Sequence, residues 1–257
     1  MFQFKIVDKE RLNDMIYSFQ IDAAAIARQA KPGQFLHILP EGNVTLRRPI
    51  SICEINDNRV RFIFEVVGEG TRLIAKKQVG ETLNVLGPLG KGFGLYRNID
   101  MPKIMLIGGG IGVFPLLQLA KDAKLSVKAN SFTYVVLGFR SKKHVVLEND
   151  FNRYANKLHI TTDDGTCGEE GFVTAPARRI IDSEEIDGIF ACGPKPMLKE
   201  VAKLAKNAGI YCEVSMEQRM ACGIGTCVGC VIKTTSGYKS VCKDGPVFDA
   251  SEVDFDD

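Results

Sequence analysis

Four cysteines carry the strongest chemical signal in this chain. Cys222, Cys227, Cys230 and Cys242 follow the spacing C-x4-C-x2-C-x11-C and begin inside the stretch MACGIGTCVGC. Thiols grouped this way can bind metal, pair as disulfides or only pack a turn. The first three positions match the plant-type 2Fe-2S spacing, in which four thiolates hold two irons. A loop wrapped closely around such a centre needs glycine where a Cβ would clash or φ turns positive. Gly223, Gly225 and Gly229 lie between the candidate ligands, and backbone N–H groups there can face the negative sulfides. A structural zinc site pairs two short cysteine spacings, whereas this chain has one C-x2-C and one C-x4-C. Disulfides are rare in reducing compartments. The spacing therefore favours a 2Fe-2S centre on these four cysteines over zinc, a disulfide or a plain turn. The other cysteines, at 53, 167, 192 and 212, are scattered. They read as small buried residues, with Cys192 a possible exception.

Glycine-rich stretches upstream suit phosphate. LIGGGIGVFP (106–115) follows the apolar run KIMLIG and opens the helical run VFPLLQLAKDA. A strict G-x-G-x-x-G would need glycine at 113, where Val113 stands, so the usual dinucleotide fingerprint fails. Gly108, Gly109, Gly110 and Gly112 would still let a pyrophosphate approach the backbone at the helix start. EVVGEGTRLI (65–74) turns at Gly68 and Gly70, and Thr71 is placed to cap a short helix over 71–77. RRPIS (47–51) opens a strand with an arginine whose fork fits phosphate oxygens. ACGPKPM (191–197) closes a later strand.

The elements that must hold these residues fall into three regions. FQFKIV, MIYSFQI, QFLHILP, PISICEI, RVRFIFEVV and ETLNVLG are short, rich in β-branched or aromatic residues and separated by turn signals. Six such strands predict an antiparallel barrel. From KIMLIG onward strands alternate with helices (VFPLLQLAKDA, HVVLENDFNRYA, PARRIID, KPMLKEVAKLAKNAG), which predicts a parallel sheet covered on its faces. The change falls near RNIDMP (97–102), and the pattern breaks again after about residue 215. The expected organisation is multi-domain, α/β plus β. It comprises an antiparallel β-barrel (1–99), a Rossmann-like parallel α/β nucleotide domain (100–213) and a small C-terminal 2Fe-2S subdomain (214–257).

Composition sets outer limits. The chain has 257 residues, 45% hydrophobic and 25% charged, with a formal net charge of +2. That is an ordinary globular balance, and it lacks the basic footprint of a nucleic-acid binder. No run approaches the roughly 18 apolar residues of a membrane span. MFQFKIVDKER lacks the apolar stretch of a signal peptide. The expectation is a cytoplasmic protein without nucleic-acid or membrane partners.

SMEQRMACGIGTCVGC, with Cys242 ahead of KDGPVFDASEV, resembles the iron–sulfur end of the electron-transfer subunits of type B dihydroorotate dehydrogenases. More broadly the chain is similar to the ferredoxin–NAD(P)H reductase superfamily, across its whole length and in the same order of parts. The resemblance implies FAD, a 2Fe-2S cluster and NAD as cofactors, and it assigns FAD binding to the antiparallel β-barrel (1–99). It places Arg48 at the flavin pyrophosphate and Ser51 near the reactive edge, with the backbone of Pro49 and Ile50 lining the ring. Ile50 stands where many relatives have an aromatic residue, so backbone contacts take over from stacking there. Gly70 and Thr71 would hold flavin phosphates, and Glu65, Val66 and Val67 would form the cofactor wall. GGGIGVFP resembles the nucleotide loop of these reductases, and Cys192, Gly193 and Pro194 would stand beside the nicotinamide.

The implied reaction is a relay in pyrimidine (UMP) biosynthesis. An FMN-containing dihydroorotate dehydrogenase catalytic subunit oxidises the substrate, single electrons cross the cluster, and FAD delivers a hydride to NAD+. The implied assembly is a heterotetramer of two of each subunit. An alternative is a reductase subunit serving another complex, such as a ferredoxin:NADP+ oxidoreductase or a sulfur-reducing enzyme. A zinc-stabilised nucleotide-binding regulator is the non-enzymatic alternative. The acidic residue expected about 20 positions past the glycines is missing, and FRSKK with Arg140, Lys142 and Lys143 stands at that strand end. NAD against NADP is therefore open on the residues alone, and the resemblance favours NAD.

Overall fold

A computed structural model describes residues 2–94, 101–125 and 131–256. The expected boundary between residues 99 and 100 lies outside the described residues. The N-terminal part contains β1 (Gln3–Arg11), β2 (Ile16–Asp22), a short helix α1 (Ala24–Ala27), β3 (Phe35–Leu39), β4 (Arg48–Asn56), β5 (Arg59–Glu65), α2 (Glu69–Lys76) and β6 (Thr82–Leu89). The six strands close into a barrel in the order β1-β2-β5-β4-β3-β6, with every pairing antiparallel. Side chains alternate across a strand. On β3, Leu36 and Ile38 fill the barrel interior beside Phe19, Ile50, Ile52 and Phe62. Phe35 turns outward and joins the core of the next region.

The second region holds β7 (Lys103–Gly109), a 3-10 turn (Gly110–Val113), α3 (Phe114–Leu125), β8 (Phe132–Phe139), α4 (Glu148–Tyr154), β9 (Lys157–Thr162), β10 (Glu169–Glu170), α5 (Thr174–Ser183), β11 (Gly188–Cys192), α6 (Lys195–Ala208) and β12 (Tyr211–Ser215). Its strands pair in parallel. Both faces of β7 are buried: Ile104 and Leu106 pack with α3 and α4, Met105 and Ile107 with α5 and α6. A strand covered on both sides reads as a continuous apolar run, which KIMLI is. The predicted helix HVVLENDFNRYA is shorter than expected and covers only Glu148–Tyr154. Val146 and Leu147 are instead buried in the core, and Leu147 takes a left-handed φ of 61° that stops the helix from extending backward.

The tail forms a hairpin of β13 (Val231–Thr234) and β14 (Gly237–Ser240), then β15 (Val247–Asp249). β15 adds to the nucleotide sheet beside β12, antiparallel, with Ser215 opposite Val247. The seven-stranded order is β10-β9-β8-β7-β11-β12-β15. Cys230, Ile232, Val241, Cys242 and Phe248 share one core with β11, β12 and Phe35, so the cysteine-rich segment packs against both larger regions.

Polar contacts fix the barrel to the nucleotide region. Arg61 on β5 lies 3.6 Å from Glu54 on β4 and 3.4 Å from Asp150 on α4. Lys121 on α3 reaches Glu54 at 3.3 Å. The Ile55 amide donates to the Gln118 side chain at 2.6 Å.

Candidate iron–sulfur, flavin and nucleotide sites

The four cysteines come together as two pairs. The Cys222 thiol lies beside that of Cys227, and the Cys242 thiol beside that of Cys230. All eight cysteines are free of disulfides. Among the described residues no three Cys, His, Asp or Glu side chains gather at one point as a single metal ion would require. Two thiol pairs suit two irons better than one zinc. The backbone supplies the rest of the nest. Cys222 Sγ accepts N–H groups from Ile224 at 3.5 Å, Thr226 at 3.3 Å and Cys227 at 3.4 Å. Gly225 donates to Cys242 Sγ at 3.1 Å, and the Cys242 amide donates to Cys230 Sγ at 3.4 Å.

These donors favour thiolate. The Ile224 amide foremost, with those of Cys227 and Thr226, holds the Cys222 thiol down at about 6. Burial and the adjacent Cys230 push Cys242 up to about 12, the penalty two cationic irons would relieve. Gly223 and Gly225 turn through φ of 71° and 83°, as the sequence predicts, but the third turn is made by Val228 at 50°. Gly229 has neither a positive φ nor a close contact that demands glycine, since a Cβ there would lie 3.5 Å from Cys227 Sγ, an ordinary contact distance.

The flavin candidates meet at the start of α2. A Cβ on Gly70 would fall 2.4 Å from Arg48 Nε, so the guanidinium rests against the first turn of the helix. Arg48 Nη1 donates to the Leu46 carbonyl at 2.6 Å, which folds the side chain toward that turn. Thr71 differs from its expected capping place. The helix starts at Glu69 with Gly68 at the N-cap, and Thr71 reaches back from the third helical position. Its hydroxyl accepts the Val67 and Gly68 amides at 3.1 and 3.2 Å. An arginine fork beside a helix N-terminus is an anion cradle. The Ile50 side chain points into the barrel core and presents only backbone outward, whereas Pro49 and Ser51 are half-buried. Val67, two residues past the end of β5 at Glu65, is 76% exposed.

The nucleotide candidates meet where the sheet order reverses. β8 lies on one side of β7 and β11 on the other, and ligands of open α/β sheets bind at the carboxyl ends of such strands. Cys192 stands opposite Gly108 in the ladder. A Cβ on Gly112 would lie 2.4 Å from the Cys192 carbonyl oxygen, and one on Gly109 3.1 Å from Pro194 Cδ. Gly193 closes the same contact against Gly109 N. Gly110 has φ +56° and open space before it. Burial pushes the Cys192 thiol up to about 12, which favours its protonated form.

Relatives with the same parts are known. Residues 217–254 match the iron-sulfur cluster binding domain of dihydroorotate dehydrogenase B, and residues 106–203 match the oxidoreductase NAD-binding domain. The electron transfer subunit of dihydroorotate dehydrogenase B (NAD(+)) from Clostridium perfringens is 38% identical, over 99% of this chain and 98% of that one. Its counterpart from Bacillus velezensis is 41% identical over 96% of each. The chain belongs to the dihydroorotate dehydrogenase B electron transfer subunits. A solved structure of an NADH-dependent reduced ferredoxin-NADP oxidoreductase is also similar, with a TM-score of 0.86 and 29% identity over 98% of this chain and 90% of that one.

In this member of the dihydroorotate dehydrogenase B electron transfer subunits, barrel, nucleotide domain and cysteine-rich segment follow one another along the chain. Motif reading missed one residue of the junction between them, His37 on β3, which is fully buried against the cluster loop. Its only sequence signal is a polar residue at an outward position of QFLHIL.

Gly70 offers a local test of the flavin cradle. Alanine in place of glycine within a helix adds about 1 kcal/mol of helix propensity, yet its methyl would strike Arg48. Gly70→Ala is therefore expected to keep or raise apoprotein melting temperature while weakening FAD binding by about tenfold or more, near 1.4 kcal/mol. Flavin titration beside thermal unfolding checks both signs.

Proposed function

We propose that this chain receives electrons singly from a dihydroorotate-oxidising catalytic subunit and returns them in pairs to NAD+, within pyrimidine biosynthesis. The observation that carries the reading is the paired arrangement of Cys222 with Cys227 and Cys230 with Cys242 in a nest of backbone N–H donors. When bound, the 2Fe-2S centre supplies one-electron steps and FAD joins them to the hydride chemistry of NAD. The chain's residues bind and orient. Arg48, Gly70 and Thr71 hold the flavin phosphates. Pro49, Ile50 and Ser51, with Glu65, Val66 and Val67, form the wall for the ring. Gly108, Gly109, Gly110 and Gly112 admit the dinucleotide pyrophosphate, and Cys192, Gly193 and Pro194 set the nicotinamide against the flavin. Hydride transfer needs this positioning more than an acid or base.

The finer picture is a partner carrying FMN, two copies of each subunit, and a cytoplasmic complex, where reducing conditions preserve free thiols. No helix among the described residues is long and apolar enough to cross a membrane. The likeness to the ferredoxin-NADP oxidoreductase, with exposed Arg140 and Lys143 after β8, keeps NADPH in the test. NADH is expected to reduce the bound flavin faster, and faster reduction by NADPH would reverse the nucleotide choice. The purified chain alone is expected to leave dihydroorotate untouched and to oxidise it only with the catalytic subunit. Efficient oxidation by the isolated chain would sink the proposal.

The cluster edge is proposed as the docking face. Cys227 is exposed, and Ile224 and Val228 beside it are 57% and 67% exposed. Ile224→Glu or Thr226→Arg is expected to slow dihydroorotate-dependent NAD+ reduction at least tenfold. NADH oxidation with an artificial acceptor should hold within about twofold, since the difference read is about 1.4 kcal/mol per tenfold. Equal loss of both activities would count against this face.

A further inference from the structure

His37 is a polar side chain buried at the seam between the barrel and the cluster loop. It is 0% exposed, and neither ring nitrogen has a hydrogen-bond partner of ordinary geometry among the described residues. A buried donor left unpaired is costly, and native proteins seldom leave one without a partner. The surroundings say where the partner belongs. Leu36 and Ile38 fill the barrel, so alternation turns His37 outward. Across the ladder it pairs with Pro49, within the segment proposed to line the flavin. On its other side is the cluster loop. A Cβ on Gly223 would fall 2.4 Å from His37 Nδ1 and 2.8 Å from Cε1, so the Nδ1 edge meets the Cys222–Gly223 corner. The main chain of Cys222 also faces the ring. An imidazole offers an N–H donor in either protonation state.

We infer that His37 donates a hydrogen bond to the Cys222 corner of the bound 2Fe-2S centre, and by standing in the barrel ladder sets the cluster against the flavin wall. The inference rests on the cluster reading above and adds a residue outside the cysteine motif. Iron-bound sulfur is electron-rich and accepts hydrogen bonds, and such bonds help set the potential of the centre. The bond is stronger to the reduced, more negative centre, so His37 raises the reduction potential. It belongs to the barrel strand and not to the cluster loop, so the same contact holds the two electron sites at a fixed separation.

The test is an EPR-monitored redox titration of the full chain in three forms: wild type, His37→Leu and His37→Gln. Leucine fills the space without a donor, and glutamine returns an N–H. His37→Leu is expected to load iron, to show altered g values and to titrate at a lower potential. His37→Gln should recover most of that shift. An unchanged spectrum and potential in iron-replete His37→Leu would overturn the inference. Should His37→Leu fail to hold iron, His37→Met takes its place. A potential for His37→Gln above that of His37→Met supports the bond, and equal potentials overturn it. A wild-type chain without a 2Fe-2S signal would be a different failure, that of the cluster reading itself.

Discussion

Cys242→Ser is expected to yield a yellow protein without an iron–sulfur signal, with dihydroorotate-linked activity lowered by at least about 100-fold, near 2.7 kcal/mol. Cys242 is 2% exposed, contacts Cys230 through sulfur, and accepts the Gly225 amide at 3.1 Å. It would be the ligand supplied from outside the tight loop, closing the second iron's pair in the proposed centre. Serine keeps the shape but offers a hard oxygen where iron–sulfur chemistry favours soft thiolate. Arg48, Gly70 and the nucleotide loop lie in other elements, so NADH oxidation with an artificial acceptor should stay within about threefold, a difference near 0.7 kcal/mol. Iron and sulfide analysis, EPR and the two activities, taken together, separate loss of the centre from loss of the fold. Parallel loss of flavin would show instead that the cluster segment holds up the whole molecule.

The second large effect is expected at Gly112. A methyl there would lie 2.4 Å from the Cys192 oxygen, 2.6 Å from its carbonyl carbon and 2.6 Å from Gly193 Cα. Each of these is backbone, so no rotamer relieves the clash. The two loops leave neighbouring strands in register, Cys192 opposite Gly108, and neither can retreat without breaking the ladder. Gly112→Ala should cut kcat/KM for NADH about 100-fold or more, near 2.7 kcal/mol, with flavin and iron contents unchanged. Gly110→Ala is the informative contrast. Its Cβ would meet nothing within 4 Å, so only the positive φ is penalised, at about 1–2 kcal/mol. Steady-state kinetics on the pair would tell a backbone collision from local strain.

Much of this was readable in the sequence because the determining patterns are local. Short β-branched and aromatic runs between turn signals pointed to the barrel, and a continuous apolar run pointed to β7. The cysteine spacing singled out the four cysteines that the fold then gathers in one segment, since cluster geometry dictates ligand separation along a loop. Other features depend on contacts distant in the chain. VFD at 247–249 is too short to show a period, and it becomes a strand only because β12 offers a free edge. Val228 takes its positive φ from loop closure, against its own preference. His37 looks like one more residue of a barrel strand until Gly223, far along the chain, is laid against it. Thr71 reads as a cap by residue type, yet the helix begins two residues earlier because Gly68 already takes the extended N-cap conformation.

The return of β15 to the sheet has a topological consequence. Ser215 and Val247 face each other as antiparallel neighbours, so everything between them is the connection of one long β-hairpin. The iron–sulfur segment is thus an insertion into a hairpin, not an appendix trailing from a finished domain. A short turn could join the same two strands and leave the sheet order intact. A reductase of this architecture can therefore gain or lose an outlet for single electrons at one loop, without rerouting any strand that holds flavin or nucleotide.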